Sequence, residues 1–551
     1  MSFPKQQPDW CNLDIIHRNA LPPAGSLLLE DLDPVTWANI EVPGMWQLQG
    51  YGRPICTNVN YPFPVDPPNI PILNETGSYW RQFTTPRDWK GQQIRLRFEG
   101  VDNAFHVWAN DKEVGYSQGS RNASEFDISQ FLAEAGATNT LAVRVYEFCD
   151  GSCLERQDHW LLSGIFRDVY LVAFPTVSIV DFTIRPQVDE SLAKVSIHVN
   201  VSLQGGQGED VVVELHSPRL QEMRMKPSED GTMVVEGPTL NTVIMTVQGS
   251  SIAQRVGFRR IERKSANFLV NRKPLILYRI NHHEHHHLYG CALPFDNIRA
   301  DLILIKQHNI NALRCSHQPN NPRLYGVCGE VGIYVMAEAD IETHGFNTVE
   351  RTAIKDADIM DGRELQKLSF SQAKRWTSDN PEWRAAYMDR AVQLVKRFQN
   401  YTSVIFWSLG NEAFYGANHA AIVMYATPDE LCKFVAHHTG RPLIQCEYGH
   451  AMGNGPGGQA NYIELYRSEP LLQGGYIWEW CSHGLLKREG KLTYFAYVAN
   501  FEDSPNDRDF VMDGLVFSDH SPTPGLLEYR KVIEPVTIKL EDDKEEKENR
   551  V

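Results

Sequence analysis

From residue 275 the chain repeats one pattern: a short apolar run, a polar end, then a helical stretch. The apolar runs are LILYRI (275–280), NALRCS (311–316), VGIYVMAEAD (331–340), VIFWSLGNE (404–412), LIQCEYG (443–449) and GGYIWEW (474–480). Between them lie helical patterns at 296–309, 383–400 and 428–438. Near-continuous apolar strands need cover on both faces, which helices flanking a parallel sheet supply. The pattern therefore predicts a parallel barrel of the (β/α)8 type, but six strands can be placed where closure takes eight. Residues 413–442 hold one helix and the fragment Ile-Val-Met-Tyr (422–425), so at least one barrel strand is expected to be missing. The polar, Asp-rich stretch 346–382 is expected to form a loop above the barrel.

Upstream, short β-rich runs such as QIRLRFEG (93–100) and TLAVRVYEF (140–148) alternate with Gly, Asn, Asp and Pro turns, as in a β-sandwich. From about 176 to 262 only four strand runs stand out, KVSIHVNVSL, DVVVELHS, NTVIMTVQ and QRVGFRRI, where an immunoglobulin-like sandwich has about seven. The expected organisation is a sandwich over 1–175, a trimmed sandwich over 176–262, an incomplete barrel over 263–537 and a solvated charged tail over 538–551.

The polar ends of the barrel runs carry the chemistry. Catalytic groups of such barrels sit where strands end at the C-terminal face, and Asn411-Glu412 and Glu447 end two of them. Two carboxyls roughly 5–5.5 Å apart serve a retaining glycosidase as nucleophile and acid/base. The step from 412 to 447 is only 35 residues, too short for the normal run between such strands when each βα unit takes roughly 25–30. The run VMAEADIETHG gathers Glu338, Asp340, Glu342 and His344 at a third strand end. Glu342, His344 and Glu412 offer oxygen and imidazole donors that suit Mg²⁺ or Mn²⁺, a hydrogen-bonded His–carboxylate pair being the alternative. Arg314 and His317 end the second run and can orient a carboxylate or form a structural ion pair. Trp478 offers a flat face to a sugar or packs in the core. In the tract Asn281–His287, one or two histidines are expected in the barrel mouth and the rest on the surface.

Charge and composition exclude other classes. A formal net charge of −16 argues against a polyanion-binding surface, so nucleic acid is not expected as a partner. The start of the chain carries no signal-like apolar core and no 18-residue apolar stretch occurs, so neither secretion nor membrane spanning is expected. Ten cysteines without a tight spacing pattern fit a reducing cytoplasm, where the sequons at Asn74, Asn122 and Asn400 stay unmodified.

Together RCSHQPNNPRLYG, MAEADIETHGF, WSLGNE, CEYGHAMGNGPGG, LQGGYIWEW and PNDRDFVMDGLVFSD, with NVNYPFPVDPP and SGIFRDVYL, resemble the large cytoplasmic β-galactosidases of glycoside hydrolase family 2. The similarity runs from about residue 10 to about 535. It implies a sugar-binding jelly roll, an immunoglobulin-like domain and a TIM barrel, with retaining hydrolysis of terminal β-D-galactose from substrates such as lactose. By that resemblance Glu447 is the nucleophile and Glu412 the acid/base, and Glu342, His344 and Glu412 hold Mg²⁺. Asp158 and the Phe510 carbonyl match ligands of a Na⁺ site, with Asp513 where the bacterial members have Asn. Asn58, His283, His317, Asn411, Met424, Tyr425, His450 and Trp478 match the galactose pocket, and Arg314 matches the residue that holds the nucleophile.

The same resemblance implies that three segments are missing: the fifth barrel strand between His419 and Met424, the last strands of the second domain, and the C-terminal sandwich domains. The family's homo-oligomer interfaces partly involve those domains. Two other readings stay open: a non-catalytic sugar-binding or partner chain, and a β-glucuronidase- or β-mannosidase-type specificity.

Overall fold

A computed structural model describes residues 13–15, 37–57, 59–155, 157–192, 194–206, 210–217, 220–225, 232–233, 240–264, 267–414, 416–418, 425–437, 442–497, 499–541 and 544–549. In the N-terminal sandwich, a five-stranded antiparallel sheet faces a three-stranded one built on Gln93–Phe98. That strand shows why: Ile94, Leu96 and Phe98 alternate inward while Gln93, Arg95 and Arg97 are less buried. With Trp46, Tyr79, Phe105, Val107, Val143 and Val145 they form a single core.

The second domain has more strands than the sequence pattern suggests. Ser178–Val188, Val195–Gln204 and Thr232–Met233 make one sheet. Leu220–Met225, Val212–Ser217, Leu240–Val247 and Ser250–Gly257 make the other. Among the described residues seven strands thus stand where four were expected, one of them two residues long. Leu220–Met225 (LQEMRM) escaped notice because it lacks β-branched residues and owes its conformation to pairing with Val212–Ser217.

The third domain is a six-stranded parallel sheet in the spatial order Val404–Ser408, Tyr334–Glu338, Ala312–Cys315, Arg279–His282, Leu472–Ile477, Leu443–Tyr448. Strands near the middle of this order are wholly buried, as parallel strands under helices should be. The sheet is open between Val404–Ser408 and Leu443–Tyr448, and no strand among the described residues bridges them. Trp407 and Leu409, 42% and 48% exposed, mark that open edge. The first strand begins at Arg279, beyond the expected start at 275, because the Asn311 side chain takes the Tyr278 N–H before the ladder begins.

One further expectation is corrected. The stretch 346–382 is not a loop: it contains helices Gly345–Ala353 and Gly362–Ala373. Asp361 caps the second helix by accepting from the backbone N–H groups of Arg363 and Glu364. Leu365, Ser369 and Ala373, four residues apart, are its buried stripe. At the charged tail, Val536–Glu541 pairs with Lys544–Asn549 as a hairpin.

Candidate active site

Six strand ends converge on one buried polar cluster, with Arg314 at its centre and wholly buried. Its Nε and Nη2 donate to both oxygens of Glu338 at 2.6 and 2.8 Å, a bidentate pair. Nη1 donates to Glu447 Oε1 at 2.6 Å and to Asn281 Oδ1 at 3.1 Å, and Nη2 also reaches Asn411 Oδ1 at 3.0 Å. Burial disfavours the charged guanidinium, but Glu338 and Glu447 raise its pKa well above the ordinary arginine value. Arg314 thereby ties four strands together and fixes one face of Glu447.

Glu447 ends one edge strand and Glu412 follows the other. Burial pushes Glu447 up to about 7; Arg314 opposes this and the Glu412 charge adds to it. The Tyr425 hydroxyl also bonds Glu447, and the Tyr425 N–H donates to the Glu447 carbonyl at 2.8 Å. Glu412 sits at positive φ, +25°, next to Gly410 at φ +131°. A Cβ on Gly410 would lie 2.5 Å from the Ile341 carbonyl oxygen, so the turn that presents Asn411-Glu412 requires glycine.

Glu412 Oε2 pairs with His344 Nδ1. Burial would raise the Glu412 pKa, but His344 holds it below the usual value, and His344 is raised in return. Beside them Glu342 is wholly buried and neither of its oxygens accepts a well-formed hydrogen bond. Burial and the charges of Glu412, Asp158 and Glu447 drive its pKa well up, with Asn411 offsetting little. A lone buried carboxyl beside a second carboxylate and an imidazole is a donor set short of a cation.

A second acidic group lies across the cluster. Asp513 accepts from Trp478 Nε1 at 2.6 Å through Oδ2, while its Oδ1 makes no well-formed hydrogen bond. His450 Nε2 lies 3.7 Å from the same Oδ2, with its ring 5.5 Å from Phe510 and 6.0 Å from Tyr425. Burial and Asp513 push Asp158 well up, and burial with Glu479 does the same to Asp513.

Trp478 is not an open platform: it is 1% exposed and His317 stacks on it at 4.9 Å and 8°. His283 packs edge-on against both rings. Each histidine faces a buried carboxylate through Nδ1, His283 to Glu479 at 2.7 Å and His317 to Glu338 at 3.0 Å. Each leaves Nε2 buried without a hydrogen-bond partner. Burial lowers both imidazoles, so they are neutral and Nε2 is a bare acceptor.

The structure thus brings Glu342, His344, Asn411, Glu412, Tyr425, Glu447, His450, Trp478, Asp158, Phe510, Asp513, His283, Arg314 and His317 into one cluster. Asn58 and Met424 lie outside the described residues. The histidine tract is corrected: His282, His283, His285 and His286 are all buried and only His287 is partly exposed. The N-terminal sandwich roofs the tract, Arg167 pairing with Glu284 at 2.7 Å. Glu479 went unassigned in the sequence, although a carboxylate between two tryptophans in an apolar run signals a buried partner for a base. Asn281 carried no signal at all, since a strand-end Asn reads as an ordinary turn residue.

Residues 261–437 and 423–538 match the TIM barrel domain of glycosyl hydrolases family 2, and residues 30–175 match its sugar binding domain. The two barrel matches overlap at 423–437, in the segment joining the two edge strands. The chain is 38% identical over 592 residues to the beta-galactosidase of Kluyveromyces lactis, covering 92% of this chain and 57% of that protein. It is 37% identical over 572 residues to the beta-galactosidase of Pectobacterium atrosepticum, covering 90% and 52%. The chain spans about half the length of the curated relatives it matches. A Ruminococcus gnavus β-glucuronidase in complex with C6-substituted uronic isofagomine superposes with TM-score 0.69 at 15% identity, over 97% of this chain and 99% of that one. The Faecalibacterium prausnitzii β-glucuronidase gives 0.68 at 18% identity, over 96% and 98%. At these identities the likeness is one of fold.

Proposed function

The chain belongs to glycosyl hydrolase family 2, and from that premise we propose that it is a retaining β-galactosidase acting on β-galactosides such as lactose. The observation that carries the reading is the pair Glu412 and Glu447, at the ends of the two edge strands of one sheet and close enough for the Glu412 charge to raise Glu447. Glu447 is the nucleophile: Arg314 and the Tyr425 hydroxyl fix its carboxylate for attack at the anomeric carbon. Glu412 protonates the leaving oxygen and then activates water.

The side chains by themselves favour ionised Glu412, paired with His344, and a proton nearer Glu447. The two carboxyls titrate as a pair. When Glu412 takes the proton, its repulsion of Glu447 vanishes and Arg314 holds Glu447 ionised, the arrangement the chemistry needs. Glu342, His344 and Glu412 would hold Mg²⁺ or Mn²⁺, which when bound supplies the positive charge this carboxylate crowd lacks. Asp158, the Phe510 carbonyl and Asp513 would hold Na⁺, the Asp513 Oδ1 without a well-formed hydrogen bond supporting that set. The bare Nε2 atoms of His283 and His317 accept from sugar hydroxyls.

The acidic lining also bears on specificity. Asp158, Asp513 and Glu479 crowd the pocket, and Arg314 is already committed to Glu338 and Glu447. A uronate carboxylate would meet the ionised Glu479 and a guanidinium already paired, so a neutral hexose is favoured over a glucuronide. None of the nine described cysteines is in a disulfide, which supports a reducing cytoplasm as the site of action. No helix among the described residues is long and apolar enough to cross a membrane.

The test is hydrolysis of a chromogenic β-galactoside by the purified chain with Mg²⁺ and Na⁺ present, and Glu447→Gln as control. Turnover that Glu447→Gln abolishes supports the enzyme. A folded chain that binds galactosides without turnover replaces it with a sugar-binding protein.

A further inference from the structure

We propose that His283, Glu479 and His483 form a binding site for one divalent transition-metal ion of the zinc class, separate from Glu342, His344 and Glu412. One ligand atom from each of the three residues lies within 4.8 Å of the others, and all three residues are buried. Glu479 is the bridge, with Oε2 2.7 Å from His283 Nδ1 and Oε1 3.2 Å from His483 Nε2. Zinc bonds of ~2.0–2.2 Å in a tetrahedral field put neighbouring donor atoms ~3.3 Å apart, so the His483 separation is close to what an ion imposes and the His283 hydrogen bond would have to open for the ion to enter.

His483 argues that the cluster awaits something. Its side chain is wholly buried, and neither ring nitrogen makes a well-formed hydrogen bond within the protein. A buried imidazole left so is costly unless a ligand completes it. The ring is also held tightly in place: it packs against His285 at 4.8 Å and His283 at 5.1 Å, and its carbonyl accepts from Trp160 Nε1. Two imidazoles and one carboxylate leave a fourth position open and suit zinc, copper or nickel better than oxygen-seeking Mg²⁺. Hence part of the histidine tract, which lines the barrel mouth, gains a metal role through residues from the WEWCSHG segment.

Binding would alter the pocket, a consequence that rests on the sugar-binding reading above. An ion on His283 Nδ1 displaces the proton now shared with Glu479. A neutral ring carries a single proton, which must then sit on Nε2, changing it from acceptor to donor.

The test uses the whole chain freed of metal by chelating resin and titrated with Zn²⁺, bound ion being counted by elemental analysis after equilibrium dialysis. Expected is one tightly held ion per chain, and Co²⁺ in its place should show the intense visible bands of a tetrahedral nitrogen–oxygen site. His483→Gln should weaken binding at least 100-fold, while Glu342→Gln and His287→Gln leave it unchanged. The proposal is overturned if the wild-type chain takes up no stoichiometric zinc, if Co²⁺ gives only octahedral bands, or if Glu342→Gln rather than His483→Gln removes the ion. None of these readouts involves hydrolysis, so their failure is distinct from failure of the galactosidase reading.

Discussion

Replacing Arg314 by Met removes five hydrogen bonds at once and leaves a side chain of similar length in a wholly buried position. The bonds to Glu338 at 2.6 and 2.8 Å and to Glu447 at 2.6 Å are charge-assisted; those to Asn281 and Asn411 are neutral-acceptor bonds of 3.1 and 3.0 Å. Breaking a buried ion pair by deleting one partner costs ~3–5 kcal/mol, because the other charge stays buried. Two carboxylates are stranded here, but Glu447, already at about 7, escapes by taking a proton near neutral pH. The expected loss at pH 8 is therefore about 3–5 kcal/mol, or roughly 6–20 °C in the melting of the barrel.

Its pH dependence has a definite sign. Without the guanidinium, Glu447 rises further above its unfolded-state pKa. A carboxyl raised on folding destabilises the fold progressively as pH climbs past the unfolded value. The penalty should grow by up to ~1.4 kcal/mol per pH unit for each such carboxyl and be smallest near pH 5. Urea titrations followed by tryptophan fluorescence at pH 5 and pH 8, with Arg314→Met/Glu338→Gln as the second arm, measure both effects. The double variant should recover part of the loss. An Arg314→Met chain as stable as wild type at pH 8, or equally weakened at both pH values, would refute the reasoning.

Gly410→Ala puts a methyl 2.5 Å from the Ile341 carbonyl oxygen at φ +131°; we expect ~1–3 kcal/mol lower stability and a rate on chromogenic galactoside down at least tenfold, and wild-type values in both would contradict it. Glu147 is raised to about 8, chiefly by burial and then by Glu75. Its folded pKa lies above the unfolded one, so it destabilises from about pH 4.5 upward until it ionises near pH 8. Glu147→Gln should therefore melt like wild type at pH 4.5 and gain ~2–4 kcal/mol at pH 8.5, a gain checked by thermal denaturation across that range. Glu342→Gln relieves a buried carboxyl without a well-formed hydrogen bond, so the metal-free chain should gain ~1–3 kcal/mol. The same variant should lose stabilisation by added Mg²⁺, and calorimetric scans with and without the ion separate the two outcomes.

Much of this was legible one residue at a time. Period-two alternation in QIRLRF and apolar runs ending in Asn411-Glu412, Glu447 and Trp478 are local patterns of residue chemistry, and such patterns are legible without coordinates. The sequence also placed the broken barrel, because 35 residues between Glu412 and Glu447 are too few for the strands that should separate them. Local pattern failed where pairing or roofing decides. Leu220–Met225 became a strand only because Val212–Ser217 lies beside it. Asp-rich 346–382 became two helices once Asp361 served as a cap and the stripe Leu365, Ser369 and Ala373 was buried.

The chain alone thus determined the family resemblance, the donor types and the strand ends that carry them, because hydrophobic period and residue chemistry are local properties. Only the tertiary structure decided which groups meet. Arg314 is the hub of Glu338, Asn281, Asn411 and Glu447, His344 pairs with Glu412, and Glu479 stands between His283 and His483. Most of those partnerships join residues distant in sequence, and burial, which no single segment encodes, is the largest influence on the protonation of Arg314, Glu412 and Glu447.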